Sequence, residues 1–155
     1  MFEQLVNLLI NKKWHIASAE SCTGGLFASS IVDIANASKV FNEAFVTYAN
    51  DAKIKYLNVD EKTIQKFGVV SEEVCLEMIK GLKKVTKSEI CVATSGIAGP
   101  NNDASSKPIG MVCFGVAILD KYYTFTYYFP NNGRNYIRQS AVNYLCEKVI
   151  SLICE

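Results

Sequence analysis

A chain of 155 residues, half of them hydrophobic, suits one domain with one core and is too short for two domains of viable size. Sixteen basic and fifteen acidic side chains leave a formal charge of +1, and the basic residues gather into no patch or tail, so the composition speaks against nucleic acid as a partner. Six cysteines without a CxxC pair, beside a single histidine, His15, exclude an ordinary zinc site, and a reduced, cytoplasmic protein without metal or other cofactor is expected.

Phe2, Leu5, Val6, Leu9 and Ile10 recur at helical spacing and predict an amphipathic helix over residues 2–13, followed by a short strand at His15–Ala19. The lysines of this stretch follow its apolar part, the reverse of a secretory leader, and no segment reaches membrane-spanning length, so no membrane partner is expected. After the strand, ESCTGG makes a tight, glycine-lined turn into a helix from about Gly25 to Ala35, with Ser21 and Thr23 as candidate caps. Phe41–Tyr48 is the next strand, ended by Asn50–Asp51, which can cap a helix carrying Ile54 and Leu57. In the segment Gly68–Val85, Ser71 is expected to cap a helix begun by Glu72 and Glu73, with Val74, Met78, Leu82 and Val85 as its buried stripe. Glu89–Thr94 reads as a central strand and runs into the punctuated loop SGIAGP, with a polar stretch at Asn101–Lys107 beyond it. Ile109–Leu119 and Tyr122–Phe129 predict an antiparallel hairpin turning at Asp120–Lys121. The chain closes with a helix from about Arg134 to Ile153, buried along Ile137, Ala141, Leu145, Val149 and Leu152. This order predicts an α/β domain over 1–155, a three-layer α/β/α sandwich with a mixed sheet.

Four features carry chemistry, and each has a plain structural alternative. In Ala19–Gly25 a strand delivers Ser21, Cys22 and Thr23 to a helix N-terminus, where free amides and the helix dipole favour negative charge and Gly24 and Gly25 allow a ligand close to the backbone. Ser21 is then either a nucleophile or a helix cap, and Cys22 either a second nucleophile or a small core residue. Lys53 falls in the first turn of its helix, where the dipole disfavours a cation. With burial added, its pKa would drop toward that of a base working near neutrality; otherwise it is a solvated surface lysine. Tyr48 either relays a proton to it or lines the core. Arg134 and Arg138, four apart at the start of the last helix, share a face and suit a phosphate, or else stand on an ordinary surface. Amides at Ser95–Gly96 offer an oxyanion hole, while Lys107–Pro108 either closes the rim of the pocket or begins a strand.

Six blocks in this order carry a resemblance: AESCTGG at 19–25, TYANDAK at 47–53, GVVSEEV at 68–74, TSGIAGP at 94–100, KPIG at 107–110 and GRNYIR at 133–138. Together they resemble the CinA C-terminal domain family, whose stand-alone members are nicotinamide mononucleotide deamidases. The resemblance implies Ser21 as nucleophile, Lys53 as its base and Tyr48 beside it, with a nucleotide as the small-molecule substrate and, by family habit, a homodimer. Threonine is usual where this chain has Ser95, which keeps the hydroxyl and loses a methyl. The glycine-rich loop after GIAGP reads NNDASS here, and the usual Gly-Asp-Arg appears as Asn-Gly-Arg. The nucleotide-hydrolysing domain of longer family members has no counterpart in the string, so no pyrophosphatase activity is expected. The resulting expectation is an amidohydrolase that converts nicotinamide mononucleotide to nicotinic acid mononucleotide and ammonia. Two other classes compete with it: a nucleotide-binding module without catalysis, and an interaction protein for competence or DNA damage.

Overall fold

Five strands and six helices make up the computed structural model, which describes residues 1–155. In chain order they are α1 (Phe2–Lys12), β1 (Ile16–Glu20), α2 (Leu26–Val32), β2 (Phe41–Val46), α3 (Asn50–Leu57), α4 (Glu61–Phe67), α5 (Glu72–Thr86), β3 (Ile90–Gly96), β4 (Met111–Ile118), β5 (Lys121–Tyr128) and α6 (Arg134–Cys154), with a single 3-10 turn at Ala37–Lys39. The strands lie in the order β2-β1-β3-β4-β5. β1 is parallel to both β2 and β3, while β4 and β5 are antiparallel additions, so the sheet is mixed as expected. No helix is long and apolar enough to cross a membrane.

Side-chain size along the strands decides which helices lie on which face. Ile16, Ile90, Val92, Phe114 and Val116 pack in one apolar cluster with Leu5, Leu9, Phe27, Ile31, Ile137 and Leu145 of α1, α2 and α6. The alternate positions Ala17, Ala19, Cys91, Ala93 and Ala117 are small, and they meet Val74, Met78, Ile79 and Leu82 of α5 and Leu57 of α3. Small residues let α5 lie close. A β-carbon on Gly115 would stand 2.8 Å from the Cys75 carbonyl oxygen, and one on Gly81 only 1.8 Å from that of Leu57. The result is three layers, with α4 set against α5 at the edge of the second cluster.

Several boundaries differ from the sequence expectations, each for a local reason. α4 was not expected at all: none of its seven residues is buried, so EKTIQKF carries no apolar period, and only its cap, the Asp60 side chain accepting from the Lys62 amide, marks it. Ala49, not Asn50 or Asp51, occupies the N-cap position of α3, and no side chain caps that helix. Ser71 does cap α5, accepting from the Val74 amide. Val85 is 52% exposed rather than buried, because at the last turn of α5 it is Thr86 that reaches back toward Cys91. Leu152 is half-buried, and the hairpin turns at Leu119–Asp120, with Leu119 at a φ of 53°. His15 precedes β1 instead of lying in it, and its amide donates to the Glu89 carboxylate.

Candidate active site

The chain leaves β1 and returns through β2 on one side, then crosses to β3 on the other, so the carboxyl end of β1 is the point where connections diverge. Open α/β sheets bind ligands at such points. Here the ends of three parallel strands contribute Ser21 and Cys22 after β1, Tyr48 after β2, and Ser95 and Gly96 at the end of β3. With Asn50, Lys53, Val69, Val70, Ala98, Asp103 and Arg134 they line a cleft of about 160 Å³.

At its floor, Lys53 Nζ lies 3.0 Å from Ser21 Oγ. The lysine side chain is fully buried, although it sits near the start of α3, because α3 turns that face inward beneath the cleft. Its nitrogen also donates to the carbonyl oxygens of Thr47 at 2.7 Å and Tyr48 at 3.2 Å. A neutral amine has two N–H groups and one lone pair. With the two carbonyls taking the N–H groups, the lone pair is left facing the serine hydroxyl. Burial disfavours the ammonium and lowers the Lys53 pKa from 10.5 to about 8. Burial acts on Cys22 in the opposite sense and pushes its thiol up to about 12, so the neighbouring sulfur is not a thiolate near neutrality.

The turn that presents Ser21 is held by a residue the sequence reading passed over. Glu20 is 1% exposed, and its two carboxylate oxygens accept from Thr23 Oγ1 at 2.7 Å, Ser18 Oγ at 3.1 Å and the amides of Phe27 and Ala28 at 2.9 and 3.0 Å. Glu20, and neither Ser21 nor Thr23, therefore satisfies the free amides at the start of α2, where the dipole favours an anion. The signal was present: alternation along IASAE aims position 20 at the same face as Ile16, beside the helix that follows, and an acid there needs donors. Thr23 is fully buried and shares a hydrogen bond of 2.8 Å with Thr94 across the sheet. Glu20→Ala would leave two amides and the hydroxyls of Ser18 and Thr23 without this acceptor, and a loss of about 3 kcal/mol in unfolding free energy is expected in a denaturant titration.

The other candidates divide. Gly24 and Gly25 lie in the turn at positive φ, 59° and 96°, away from the cleft lining. The Gly24 amide is spent on the Ser21 carbonyl, whereas the amides of Cys22, Thr23 and Gly25 donate to no backbone acceptor. Tyr48 is 60% exposed, and it is its backbone carbonyl, not its phenol, that reaches Lys53. The phenol oxygen accepts from Arg134 Nη2 at 3.0 Å, while Arg134 Nη1 donates to the Gly99 carbonyl at 2.6 Å. Arg134 so spans the cleft mouth. Arg138 does not join it: its Nε and Nη2 donate to the carbonyls of Cys22 and Thr23, at 3.0 and 2.9 Å. The two arginines share a helix face without sharing an acceptor, since α6 packs along one face of the sheet and successive turns at its start meet different loops.

Ser95 Oγ donates to the Val69 carbonyl at 2.8 Å, and Lys107 Nζ binds the carbonyls of Phe67 and Val70, so both tie down the loop whose valines line the cleft. Asn50, Val69, Val70 and Asp103 were not singled out in the sequence as site residues. Asn50 belongs to the block TYANDAK and the two valines to GVVSEEV, but nothing in an isolated valine pair distinguishes a cleft wall from core.

Similarity to known proteins extends over almost the whole chain. The profile of the family described as CinA C-terminal domain matches residues 1–153. A CinA-like protein of Petrotoga mobilis is 40% identical over 149 residues, 96% of this chain and 37% of that protein. Among solved structures, a competence-damaged protein (CinA) superfamily protein from Escherichia coli superposes with a TM-score of 0.94 at 28% identity, covering 97% of this chain and 87% of the other. The competence/damage inducible protein CihA from Agrobacterium tumefaciens gives 0.90 at 34% identity, covering 97% and 94%. The chain spans about a third of the length of the curated relatives it matches.

Proposed function

The chain belongs to the CinA C-terminal domain family, and from that premise we propose that it is a serine amidohydrolase that removes the carboxamide nitrogen of nicotinamide mononucleotide. The observation that carries this reading is the 3.0 Å separation between a fully buried lysine nitrogen and a serine oxygen on the floor of an open cleft. Lys53, neutral, takes the proton of Ser21 Oγ as the oxygen attacks the carboxamide carbon. The C–N bond then breaks, and the nitrogen leaves as ammonia carrying the proton back from Lys53. Water, giving a proton to Lys53, attacks the resulting ester; its C–O bond breaks, Ser21 Oγ recovers the proton, and nicotinic acid mononucleotide departs. The developing oxyanion calls for a preorganised N–H donor, and the amide of Cys22, which lines the cleft beside the nucleophile and bonds no other residue, supplies one.

A cleft of about 160 Å³ accepts a planar ring and its amide, which leaves ribose and phosphate toward the mouth. Arg134 stands there, and its planar fork suits a phosphate. The test is ammonia release from nicotinamide mononucleotide by the native protein, with nicotinamide riboside in parallel. The phosphate-free riboside is expected to be poorer by roughly 10- to 100-fold in kcat/KM. Equal efficiency on both would remove the phosphate from the role given to Arg134, and tight nucleotide binding without ammonia would replace catalysis by a binding module.

A further inference from the structure

Arg138 is half-buried, and its guanidinium is directed at backbone rather than at the cleft lining. Nε donates to the Cys22 carbonyl at 3.0 Å and Nη2 to the Thr23 carbonyl at 2.9 Å, two consecutive peptide units directly after the nucleophile. We propose that Arg138 is a positioning residue that fixes the peptide planes of the Ser21–Gly24 turn and thereby aims the N–H group of Cys22. This inference rests on the serine mechanism given above for its kinetic consequence and on geometry alone for its structural one.

The peptide unit is planar, and in its trans form a carbonyl and the following N–H point in opposite directions. Holding the Cys22 carbonyl on Arg138 turns the Thr23 N–H away from α6. Holding the Thr23 carbonyl turns the Gly24 N–H away as well, and that group is found on the Ser21 carbonyl at 3.1 Å. The Ser21 carbonyl is thus drawn toward Gly24, which leaves the Cys22 N–H on the opposite side of its own plane. Cys22 lines the cleft, and its amide donates to no backbone acceptor. The Thr23 carbonyl also accepts from the Leu26 amide at 3.1 Å, and together with that bond the two from Arg138 set three successive planes.

The packing of Gly24 supports the same assignment. Gly24 has a φ of 59°, and a β-carbon there would come within 3.3 Å of Arg138 Nη2. The turn is bare on the side where the guanidinium lies against it. Glu20 grips the turn from its other end through the Thr23 hydroxyl, so residue 23 is held by side chain and carbonyl at once.

The experiment compares native protein with Arg138→Gln and Arg138→Lys. With nicotinamide mononucleotide, Arg138→Gln is expected to lower kcat on the order of 100-fold with KM changed less than about threefold, and the same fold-loss is expected with the riboside. Arg138→Lys, which keeps one charged donor, is expected to recover part of kcat. A loss confined to the phosphorylated substrate and carried by KM would overturn the proposal and make Arg138 a phosphate ligand. Amide hydrogen exchange supplies a readout independent of the substrate: in Arg138→Gln the amides of Gly24, Leu26 and Phe27 are expected to exchange at least about tenfold faster, while those of α5 stay unchanged. Unchanged exchange at those three amides would refute the positioning role. If the native protein releases no ammonia at all, the amidohydrolase reading fails, and the exchange result still decides what Arg138 does.

Discussion

Ser21→Ala is expected to stop ammonia release from nicotinamide mononucleotide, with kcat falling on the order of 10⁴-fold or more, while the fold and the affinity for the nucleotide are kept. Ser21 is 9% exposed, and the short contact of its hydroxyl is with Lys53 Nζ at 3.0 Å, the Tyr48 carbonyl standing off at 3.5 Å. Removing it therefore leaves one short hydrogen bond unmade at the floor of an open cleft, and Lys53 keeps the carbonyls of Thr47 and Tyr48. Stability should change by less than about 1 kcal/mol. No other side chain is placed to take over the attack, since the adjacent Cys22 thiol is held at about 12 by burial. Calorimetric binding of the nucleotide to the variant, beside an ammonia assay, separates loss of chemistry from loss of the site. Turnover at the native rate would remove Ser21 from the mechanism.

The second large effect is Lys53→Met, expected to lower kcat on the order of 10³-fold, the upper part of what a positioned general base contributes. The wild-type pH profile carries the sign of the argument. Only the neutral amine accepts the serine proton, and burial sets the pKa at about 8, so kcat/KM should rise with pH, reach half its plateau near 8 and stay flat above. A profile falling through that range would contradict a base of this kind. The same shift touches stability. Between pH 8 and 10.5 the unfolded chain still binds the proton that the folded chain has lost, so unfolding free energy rises with pH across that window. Measured against Lys53→Met, which does not titrate, the gain should approach about 3 kcal/mol at its alkaline end. Denaturant unfolding at several pH values checks it.

Much of the site was legible before any coordinate. Ser21 stood at a strand-to-helix turn, and Lys53 carried the anomaly of a cation in the first turn of a helix; the cleft contains both. Tyr48 was legible as a neighbour, but not that its carbonyl rather than its phenol meets the lysine. The arginine pair was read from helical spacing, which fixes a shared face and says nothing of what lies opposite each turn. Glu20 was not legible as the cap because Ser21 and Thr23 are the residue types that favour that position, and the buried carboxylate next to them takes the role.

What the amino-acid string determined by itself is local: the continuous apolar run of a central strand at Glu89–Thr94, the period of 3.6 along Glu72–Leu82, the Ser71 cap, the turn chemistry of ESCTGG, and hence an α/β layering of these elements. What only the tertiary structure decided is the meeting of residues far apart in sequence. The strand order β2-β1-β3 brings position 21 against position 53, and the packing of α6 sends Arg134 and Arg138 to different acceptors. The reason is physical: periodicity arises from neighbours three or four residues away, whereas those contacts depend on which strands pair and in what register, a property of the whole folded sheet.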